Sequence, residues 1–300
     1  MYHGMINVYK EKGFTSHDVV AKLRGICKQK KIGHTGTLDP DAVGVLPVCL
    51  GAATKLCDML TDKDKEYIAV FRLGMVTDTQ DISGKILEEN EVHVTKEKAE
   101  EVIDSFTGEQ LQVPPMYSAL KVNGKKLYEL AREGKEVERS ARPVTIYEIE
   151  ILEEKMPEFT VRVKCSKGTY IRTLCHDIGQ KLGCGAVMIS LKRTRAGIFE
   201  EAKAYTLSQL QTLSDEERLS EVILPVEKVF EDLPRITVKE SAGKALLNGN
   251  QLKKDEIEDQ ADQQVWDREV RVYSHEEKFY GVYRYDSGRE LFCPVKLFFM

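Results

Sequence analysis

The chain has 300 residues, of which 42% are apolar, enough for one large domain with a small one or for two domains of medium size. Taken alone, its net charge of −5 argues against a nucleic-acid partner. The seven cysteines are odd in number and lack the closely spaced pairs of a zinc site, which favours reduced thiols and gives no indication of a metal.

The first ten residues contain no long apolar run after a basic segment. No window of the chain approaches the length of a membrane span. These two observations predict a cytoplasmic protein that does not enter a membrane.

The first predicted helix begins after Thr15. Thr15 and Asp18 have capping-box spacing, and apolar residues then recur at helical intervals as far as Cys27. The end of this helix and the residues after it are basic and include no acid: Lys22, Arg24, Lys28, Lys30 and Lys31. The helix is therefore expected to deliver a basic end to the loop that follows, unless the charges only form a solvated face.

The next stretch, residues 33–44, predicts a shaped loop. Three glycines in a dozen residues free the backbone, and Pro40 keeps Asp39 out of helical geometry. Residues 45–50 form an apolar run of buried-strand length. A carboxylate on a stiff loop backed by a strand suits a nucleophile, although an Asp-Pro turn is the alternative. The glycine spacing matches neither a phosphate-binding loop nor a dinucleotide fingerprint.

The middle of the chain predicts strands, helices and a long insertion. Apolar patterns predict strands at 67–73, 144–152, 159–165 and 186–191, and helices at 95–106 and from about 171 to 182. Residues 114–143 are polar, with one short helical stretch at 127–132. An insertion of that length between regular elements is usually functional or mobile.

Basic residues are concentrated again from residue 162 to residue 195. This segment has eight lysines and arginines and a single acid, Asp177. Together with the first basic run it predicts a basic face on an otherwise acidic molecule, which could bind a polyanion. Solvated surface charge is again the alternative.

The composition changes near residues 224–234. Short strands are predicted at 264–273, 278–285 and 290–297, with a short helix at 241–247. This pattern favours a small, mostly β domain over residues 231–300, appended to a first domain over residues 1–230.

Four colinear segments then resemble one family. They are GHTGTLDP at 33–40 with GVLP at 44–47 and ATK at 53–55; DKEY at 64–67 with LGMVTDTQD at 73–81; SKGTYIRT at 166–173; and Leu191 with Arg193. In this order they resemble the motifs of the TruB family, the bacterial tRNA pseudouridine synthases. PMYSALK at 115–121 is similar to the thumb insertion of that family.

The resemblance implies a fold and an activity. The expected fold is α+β, with a mixed, largely antiparallel sheet, flanking helices, a thumb insertion at about 108–143 and a PUA-like RNA-binding domain at the C-terminus. The expected reaction isomerises the uridine at position 55 in the T loop of tRNA to pseudouridine. It adds no atom and involves no net oxidation or reduction, so no cofactor or metal is expected, and the partner is tRNA bound to a monomer.

The resemblance also implies roles for residues in the reaction. Asp39 would be the nucleophile, Arg172 would pair with it and lower its pKa, and Tyr67 would lie against the uracil. From the residues alone, a phosphate contact or a surface charge is the favoured interpretation of Arg172, and Tyr67 could equally be an aromatic residue of the core.

Further residues would bind the extruded nucleotide and the RNA backbone. His34 would fill the gap left in the base stack, and Tyr170 and Leu191 would line the base pocket. Asp81 and Lys55 would support the charge network of the site. The residues expected to contact the RNA backbone are Lys121, Lys125, Lys126, Arg132, Arg139, Arg142, Arg193 and Arg195.

Three other functions stay open on the residues alone. A non-catalytic RNA-binding or tRNA-folding factor would share the basic faces. A guide-RNA-dependent synthase would share the motifs, although such enzymes lack the long thumb. A small-molecule hydrolase could use Asp39 and Asp41, but no histidine or metal site supports those two carboxylates.

Overall fold

The computed structural model describes residues 1–122, 124–258, 266 and 268–298. Within these residues the α-helices are α1 Ser16–Ile26, α2 Cys57–Thr61, α3 Lys96–Asp104, α4 Leu127–Arg132, α5 Ile171–Leu182, α6 Leu207–Asp215 and α7 Gly243–Leu247. Single turns of 3-10 helix lie at Gly51–Leu56, Glu201–Lys203, Leu219–Val222, Val226–Phe230, Glu240–Ala242 and Lys254–Glu256. No helix among the described residues is both long enough and apolar enough to span a bilayer.

The strands of the described residues fall into two large sheets and two hairpins. In chain order they are β1 Gly4–Lys10, β2 Ile32–His34, β3 Val43–Leu50, β4 Lys65–Leu73, β5 Met75–Thr77, β6 Ile86–Glu89, β7 Gly108–Gln112, β8 Lys121–Val122, β9 Lys125–Lys126, β10 Arg142–Lys155, β11 Glu158–Cys165, β12 Ala186–Ala196, β13 Phe199–Glu200, β14 Arg235–Thr237, β15 Leu252–Lys253, β16 Glu269–Tyr273, β17 Phe279–Asp286 and β18 Leu291–Leu297.

The larger sheet has the order β1-β3-β12-β4-β11-β10-β7, with β2 beside β3 and β13 beside β12. Neighbouring strands are antiparallel except β3 and β12, which run parallel over two residue pairs, Lys192 with Val43 and Arg193 with Gly44. The predicted α+β fold with a mixed, largely antiparallel sheet is confirmed.

Strand β3 is apolar along its whole length because both of its faces are buried. Leu46, Val48 and Leu50 point towards α1 and α6, whereas Val45 and Cys49 point towards the C-terminal domain. A strand covered on both faces reads as a continuous apolar run. This burial explains why residues 45–50 show no alternation, and it places a rigid strand behind the loop that carries Asp39.

A second core lies between the middle of the sheet and helices α3 and α5. Phe71 of β4 stacks on Phe159 of β11 with ring centroids 5.4 Å apart, and Leu174 and Ile178 of α5 pack into the same cluster. Burying each such side chain contributes about 2 kcal/mol to stability. Helix α5 is therefore fixed against the sheet, which fixes Arg172 in its first turn.

Local signals predict the helices well. Helix α1 has the predicted capping box of Thr15 and Asp18, α4 has the predicted bounds, and α5 ends where Gly183 adopts φ +77°. The helix predicted over 95–106 is shorter, since α3 ends at Asp104.

The C-terminal sheet has the order β14-β16-β17-β18-β15. Its aromatic residues Phe279 and Phe298 join Phe230 and residues of β1 and β3 in one buried cluster, so this sheet packs directly on the first domain. The strand predicted over 264–273 is described from Glu269 onward, and residues 264 and 265 lie outside the described residues.

The insertion between β7 and β10 leaves the large sheet at residue 113 and returns to it at residue 142. Strand β7 and the first residues of β10 pair with each other, from Gln112 with Arg142 to Gly108 with Ile146. Residues 113–141 therefore lie outside the sheet, and we keep the name thumb for them. The thumb contains the β8–β9 hairpin and α4.

Candidate active site

The loop that carries Asp39 is anchored on both sides of that residue. The backbone N–H of Leu38 donates to Ser16 Oγ at 3.0 Å. The carbonyl oxygen of Pro40 accepts from the backbone N–H of Gly13 at 2.9 Å and from Lys10 Nζ at 3.0 Å. Because both neighbours of Asp39 are fixed, its carboxylate is held in a defined position.

Arg172 joins this loop to two other segments. Its side chain is only 5% exposed. Nε and Nη2 donate to the two carboxylate oxygens of Asp39 at 3.1 and 3.4 Å, and Nη1 donates to Asp81 Oδ2 at 3.2 Å. The carbonyl oxygens of Thr79 and Tyr117 accept from Nη1 and Nη2 at 3.0 and 2.9 Å. The forked geometry of a guanidinium is what allows one side chain to make all these contacts.

Opposing effects act on the pKa of Asp39. Burial raises the pKa, although 42% of the side chain remains exposed, whereas the Arg172 guanidinium lowers it. The nearby charge of Asp81 adds to the rise. The effect of the Arg172 guanidinium has the predicted sign, but burial has the larger effect and the net shift of the Asp39 pKa is upward. If a reaction needs this carboxylate ionised, its rate should fall as the solution is acidified, and the fall should begin at a higher pH than with an ordinary aspartate.

Tyr67 is buried in β4, where it pairs in register with Arg193 of β12. Burial raises the pKa of the Tyr67 phenol, and the guanidinium of Arg193 beside it has the opposite effect. The Asp39 carboxylate is near enough to act on the same phenol. Tyr67 therefore stands next to the proposed nucleophile as a neutral phenol, and its position in the core also satisfies the alternative prediction of a core aromatic.

The residues predicted to hold the extruded base and to fill its place in the stack lie on three different elements. Leu191 is buried in the same cluster as Tyr67, and Tyr170 immediately precedes α5, near the charges of Arg172 and Asp39. His34 ends β2, and its Nδ1 accepts a hydrogen bond from the backbone N–H of Gly36 at 3.3 Å. Burial lowers the pKa of His34, so its ring is neutral near pH 7.

Comparison with known proteins identifies the family. A family model described as "TruB family pseudouridylate synthase (N terminal domain)" matches residues 24–171, and one described as "tRNA pseudouridylate synthase B C-terminal domain" matches residues 172–231. A protein named tRNA pseudouridine synthase B from Lachnoclostridium phytofermentans is 53% identical over 99% of both chains. The chain belongs to the TruB family. A relative of the same name from Clostridium acetobutylicum is 48% identical over 93% of this chain and 94% of its own length.

Solved structures share the fold. One in a Cbf5-Nop10-Gar1 complex is 32% identical, with a TM-score of 0.74 over 99% of this chain and 85% of that chain. Another, in an H/ACA RNP bound to a substrate RNA containing 2′-deoxyuridine, is 30% identical, with a TM-score of 0.73 over 99% of this chain and 86% of that chain.

The prediction that Arg193 contacts the RNA backbone is wrong in this TruB-family structure. Its side chain is 1% exposed, Nε donates to the carbonyl oxygen of Val45 at 2.7 Å, and Nη2 donates to that of Gly36 at 3.4 Å. Arg193 thus supports the catalytic loop from behind. Gly44, with φ +105°, allows this close packing, since a Cβ there would lie 2.3 Å from the carbonyl oxygen of Arg193.

The prediction that Lys55 supports the charge network of Asp39 stays a prediction. Lys55 Nζ donates to the carbonyl oxygen of Leu297 at 2.9 Å, which places the amine against the C-terminal sheet. The lysine that acts on the Asp39 charge is Lys10. Asp81, by contrast, lies where the sequence predicts, in contact with Arg172.

The basic residues divide into exposed and neutralised groups. In the thumb, Lys121, Lys125, Arg132 and Arg142 beside it are exposed, Lys126 is half-buried against Tyr128, and Arg139 donates to the carbonyl oxygen of Pro114 at 3.2 Å. Arg195 is half-buried and donates to the carbonyl oxygen of Gly197 at 3.4 Å. Five of the eight basic residues at 162–195 are paired with acids from other elements: Arg162 with Glu150, Lys164 with Glu148, Lys167 with Asp62, Lys192 with Glu201, and Arg172 with Asp39 and Asp81.

Lys10 is the main functional residue that sequence reasoning missed. It is fully buried, and its Nζ donates to the carbonyl oxygens of Phe14 at 2.6 Å and Glu11 at 3.2 Å as well as to Pro40. The available signal was a lysine at the end of a mostly apolar segment, residues 4–10, which we did not predict as a strand. Burial lowers the pKa of Lys10 to about 8.

We expect Lys10 to make stability depend on pH in the alkaline range. The pKa of Lys10 in the folded chain is about 8, below the ordinary value of 10.5. At a pH between these two values, the folded chain has released a proton that the unfolded chain still holds. The free energy of unfolding should therefore rise with pH there, relative to Lys10→Met, by about 2 kcal/mol after allowing for screening. Urea titrations of both proteins at pH 7.5 and 9.5 measure this difference. Lys65, whose pKa burial also lowers to about 8, is present in both and cancels, so an equal pH dependence would contradict the assignment.

Proposed function

We propose that this chain converts the uridine at position 55 in the T loop of tRNA to pseudouridine, with Asp39 as the nucleophile. The observation that carries the proposal is the forked contact of the buried Arg172 with Asp39, at 3.1 and 3.4 Å, on a loop anchored at both neighbouring residues. Membership of the TruB family and relatives named tRNA pseudouridine synthase B support the substrate class.

The chemistry requires a positioned carboxylate and a site that keeps the free base. The N1–C1′ bond of the nucleoside breaks, the base turns and C5 joins C1′. C5 loses its hydrogen as a proton and N1 takes up a proton, so the atoms balance. In our proposal the Asp39 carboxylate supplies the nucleophile for this exchange. Arg172 opposes the effect of burial on the Asp39 pKa and fixes the orientation of the carboxylate. Tyr67, a neutral buried phenol, lies against the ring.

The uridine must leave its stack to reach Asp39, which costs a few kcal/mol. We propose that His34 occupies the space it leaves, because a neutral ring can stack among bases without a charge to desolvate. Tyr170 and Leu191 then line the pocket that holds the extruded base. Asp81 holds the far side of the Arg172 guanidinium at 3.2 Å.

RNA binding is proposed for the thumb and the C-terminal domain. The exposed residues Lys121, Lys125, Arg132 and Arg142 and the half-buried Lys126 lie in or beside the thumb, in a position to follow the backbone of a T arm. Residues 231–300 are proposed to be a PUA-like RNA-binding domain. A monomeric state and a cytoplasmic location stay predictions, and sedimentation of the purified chain would test the first.

The rival functions are less well supported. A guide-RNA-dependent synthase is disfavoured because the thumb spans residues 113–141, and the relatives that match 99% or 93% of the chain are named for tRNA. A hydrolase using Asp39 and Asp41 is disfavoured because Asp39 is engaged by Arg172 and Asp41 is exposed. A purely binding role leaves the buried carboxylate–guanidinium contact without a purpose.

Tritium release tests the proposed function. A T-arm hairpin carrying uridine labelled at C5 should release its label when incubated with the chain, because the reaction replaces that hydrogen with a bond to C1′. A hairpin with the label in a different uridine of the same loop is the matched control and should keep it. Absence of release from position 55, while the hairpin still binds, would favour the non-catalytic RNA-binding alternative.

The salt dependence of RNA binding should identify the thumb contacts. Lys121 is exposed and has no ion pair within the described residues, so Lys121→Ala should reduce the slope of log Kd against log salt concentration by about one. Lys167 is paired with Asp62 at 2.9 Å, and Lys167→Ala should change the slope much less. Filter binding to tRNA over a range of salt measures both slopes. Equal slopes for the two variants would contradict the thumb assignment.

A further inference from the structure

Gln112 makes an unusual pair of contacts at the base of the thumb. It is the last residue of β7 and is 3% exposed. Its Oε1 accepts from the backbone N–H of Tyr170 at 2.8 Å, and its Nε2 donates to the carbonyl oxygen of Tyr170 at 3.0 Å. One side-chain amide therefore holds both backbone polar groups of a single residue, as a neighbouring strand would.

These contacts fall where helix α5 needs them. Tyr170 is the residue before the helix, and no side chain of its own caps the first turn. The first N–H groups of a helix have no partner within it, so the start of a helix is easily displaced unless something else fixes it. Gln112 supplies that fixation two residues before Arg172.

The thumb touches Arg172 a second time. The chain enters the thumb directly after Gln112, and five residues later the carbonyl oxygen of Tyr117 accepts from Arg172 Nη2 at 2.9 Å. The root of the thumb is thus connected to the guanidinium both through the start of α5 and directly.

We propose that Gln112 is a positioning residue for the reaction: by holding the start of α5 it keeps the Arg172 guanidinium in its forked contact with Asp39. The inference rests on the proposed function, since it assigns Gln112 to the same site. Gln112 does not touch the reacting atoms and acts through Arg172. A displacement of about 1 Å in a catalytic group can lower a rate by about 10²-fold, so a small shift of the helix start is sufficient.

The chain contains a matched control. Gln29 is 7% exposed, its Oε1 accepts from the backbone N–H of Tyr2 at 2.8 Å, and its Nε2 donates to the carbonyl oxygen of Tyr2 at 3.2 Å. Gln29 therefore makes the same two contacts with the backbone of another residue, in the N-terminal segment. Replacing either glutamine by methionine removes the same kind of interaction.

The experiment compares Gln112→Met with Gln29→Met. Both should lower Tm by similar amounts. Only Gln112→Met should lower kcat on the T-arm hairpin, by about 10- to 100-fold, while its Kd for the hairpin stays within about threefold. The acid limb of its pH profile, where kcat falls as the pH is lowered, should move to higher pH, because a displaced Arg172 no longer opposes the rise in the Asp39 pKa. The other charges that act on Asp39, namely Asp81, Lys10 and Asp41, are unchanged. Gln112→Glu, which keeps the acceptor for the Tyr170 N–H, should fall between wild type and Gln112→Met, and it replaces Gln112→Met if that variant does not fold.

Hydrogen exchange separates this inference from the proposed function. Exchange at the backbone amides of residues 170–174 should be faster in Gln112→Met than in wild type and unchanged in Gln29→Met, whether or not the chain modifies RNA. Inactivity of the wild type on the hairpin would count against the proposed function alone. Equal losses of kcat in both methionine variants, an unchanged acid limb, or unchanged exchange in the first turn of α5 would each overturn the role of Gln112.

Discussion

Asp39→Asn is expected to abolish turnover while leaving tRNA binding nearly intact. The amide keeps the shape of the side chain but cannot act as a nucleophile, so kcat should fall by about 10⁴-fold or more, the scale seen when a central catalytic group is removed. The side chain is 42% exposed and lies on a loop held by its neighbours, so the loop should keep its position. The Kd for tRNA should stay within about tenfold, or 1.4 kcal/mol. Single-turnover tritium release and filter binding measure the two quantities.

Asp41→Asn is the control on the same loop. Asp41 is exposed, and its charge contributes to the rise in the Asp39 pKa. This variant should keep turnover and should shift the acid limb of kcat slightly towards lower pH. Turnover by Asp39→Asn well above the residual rate expected for that variant, or an equal loss in Asp41→Asn, would refute the assignment of Asp39.

Elements with strong local signals were predictable from the sequence. Helix α1 carries a capping box, α5 ends at a glycine in the left-handed conformation, and β3 is a continuous apolar run. Strand β1 was not predicted, because buried Asn7 and Lys10 interrupt its apolar pattern. Asn7 Nδ2 donates to the carbonyl oxygen of Glu200, and Lys10 Nζ donates to that of Pro40, partners that no local window contains.

The residues of the site that belong to the family motifs could be predicted from the sequence. Asp39, Arg172 and Asp81, separated by up to 133 residues, were assigned together from the resemblance and lie in contact. The identity of a charged residue did not show whether its side chain is exposed or buried. Arg193 is of a residue type that often contacts RNA, yet its buried guanidinium donates to the carbonyl oxygens of Val45 and Gly36 and so supports the loop that carries Asp39.

The count of charges along the chain predicted a more basic face for residues 162–195 than the structure has. The segment at 162–195 reads as strongly basic, but β11 pairs with β10 and brings Glu148 and Glu150 opposite Lys164 and Arg162. Cross-strand ion pairs of this kind reduce the net field that an RNA would meet. The charge available for RNA therefore lies in the thumb, where Lys121 and Arg132 are exposed, and in the first basic run, where Lys22, Lys28 and Lys31 are exposed.

Arg172→Met is expected to damage both stability and catalysis. The guanidinium is 5% exposed and serves two carboxylates and two backbone carbonyl oxygens, so its removal leaves Asp39 and Asp81 without their shared cation. Breaking a buried ion pair from one side commonly costs 3–5 kcal/mol, and the partial exposure of Asp39 reduces this to about 2–3 kcal/mol. Urea denaturation at pH 7 measures the loss.

Arg172→Met should also shift the pH dependence of kcat in one direction. Arg172 lowers the pKa of Asp39 against the larger effect of burial, so without it the pKa rises further, and the acid limb of kcat should move to higher pH. Arg172→Lys is the control: it keeps the positive charge but cannot donate to Asp39, Asp81, Thr79 and Tyr117 together, so it should restore much of the acid limb and little of kcat. If the acid limb stayed in place in Arg172→Met while kcat fell, Arg172 would be acting on the RNA and not on the ionisation of Asp39.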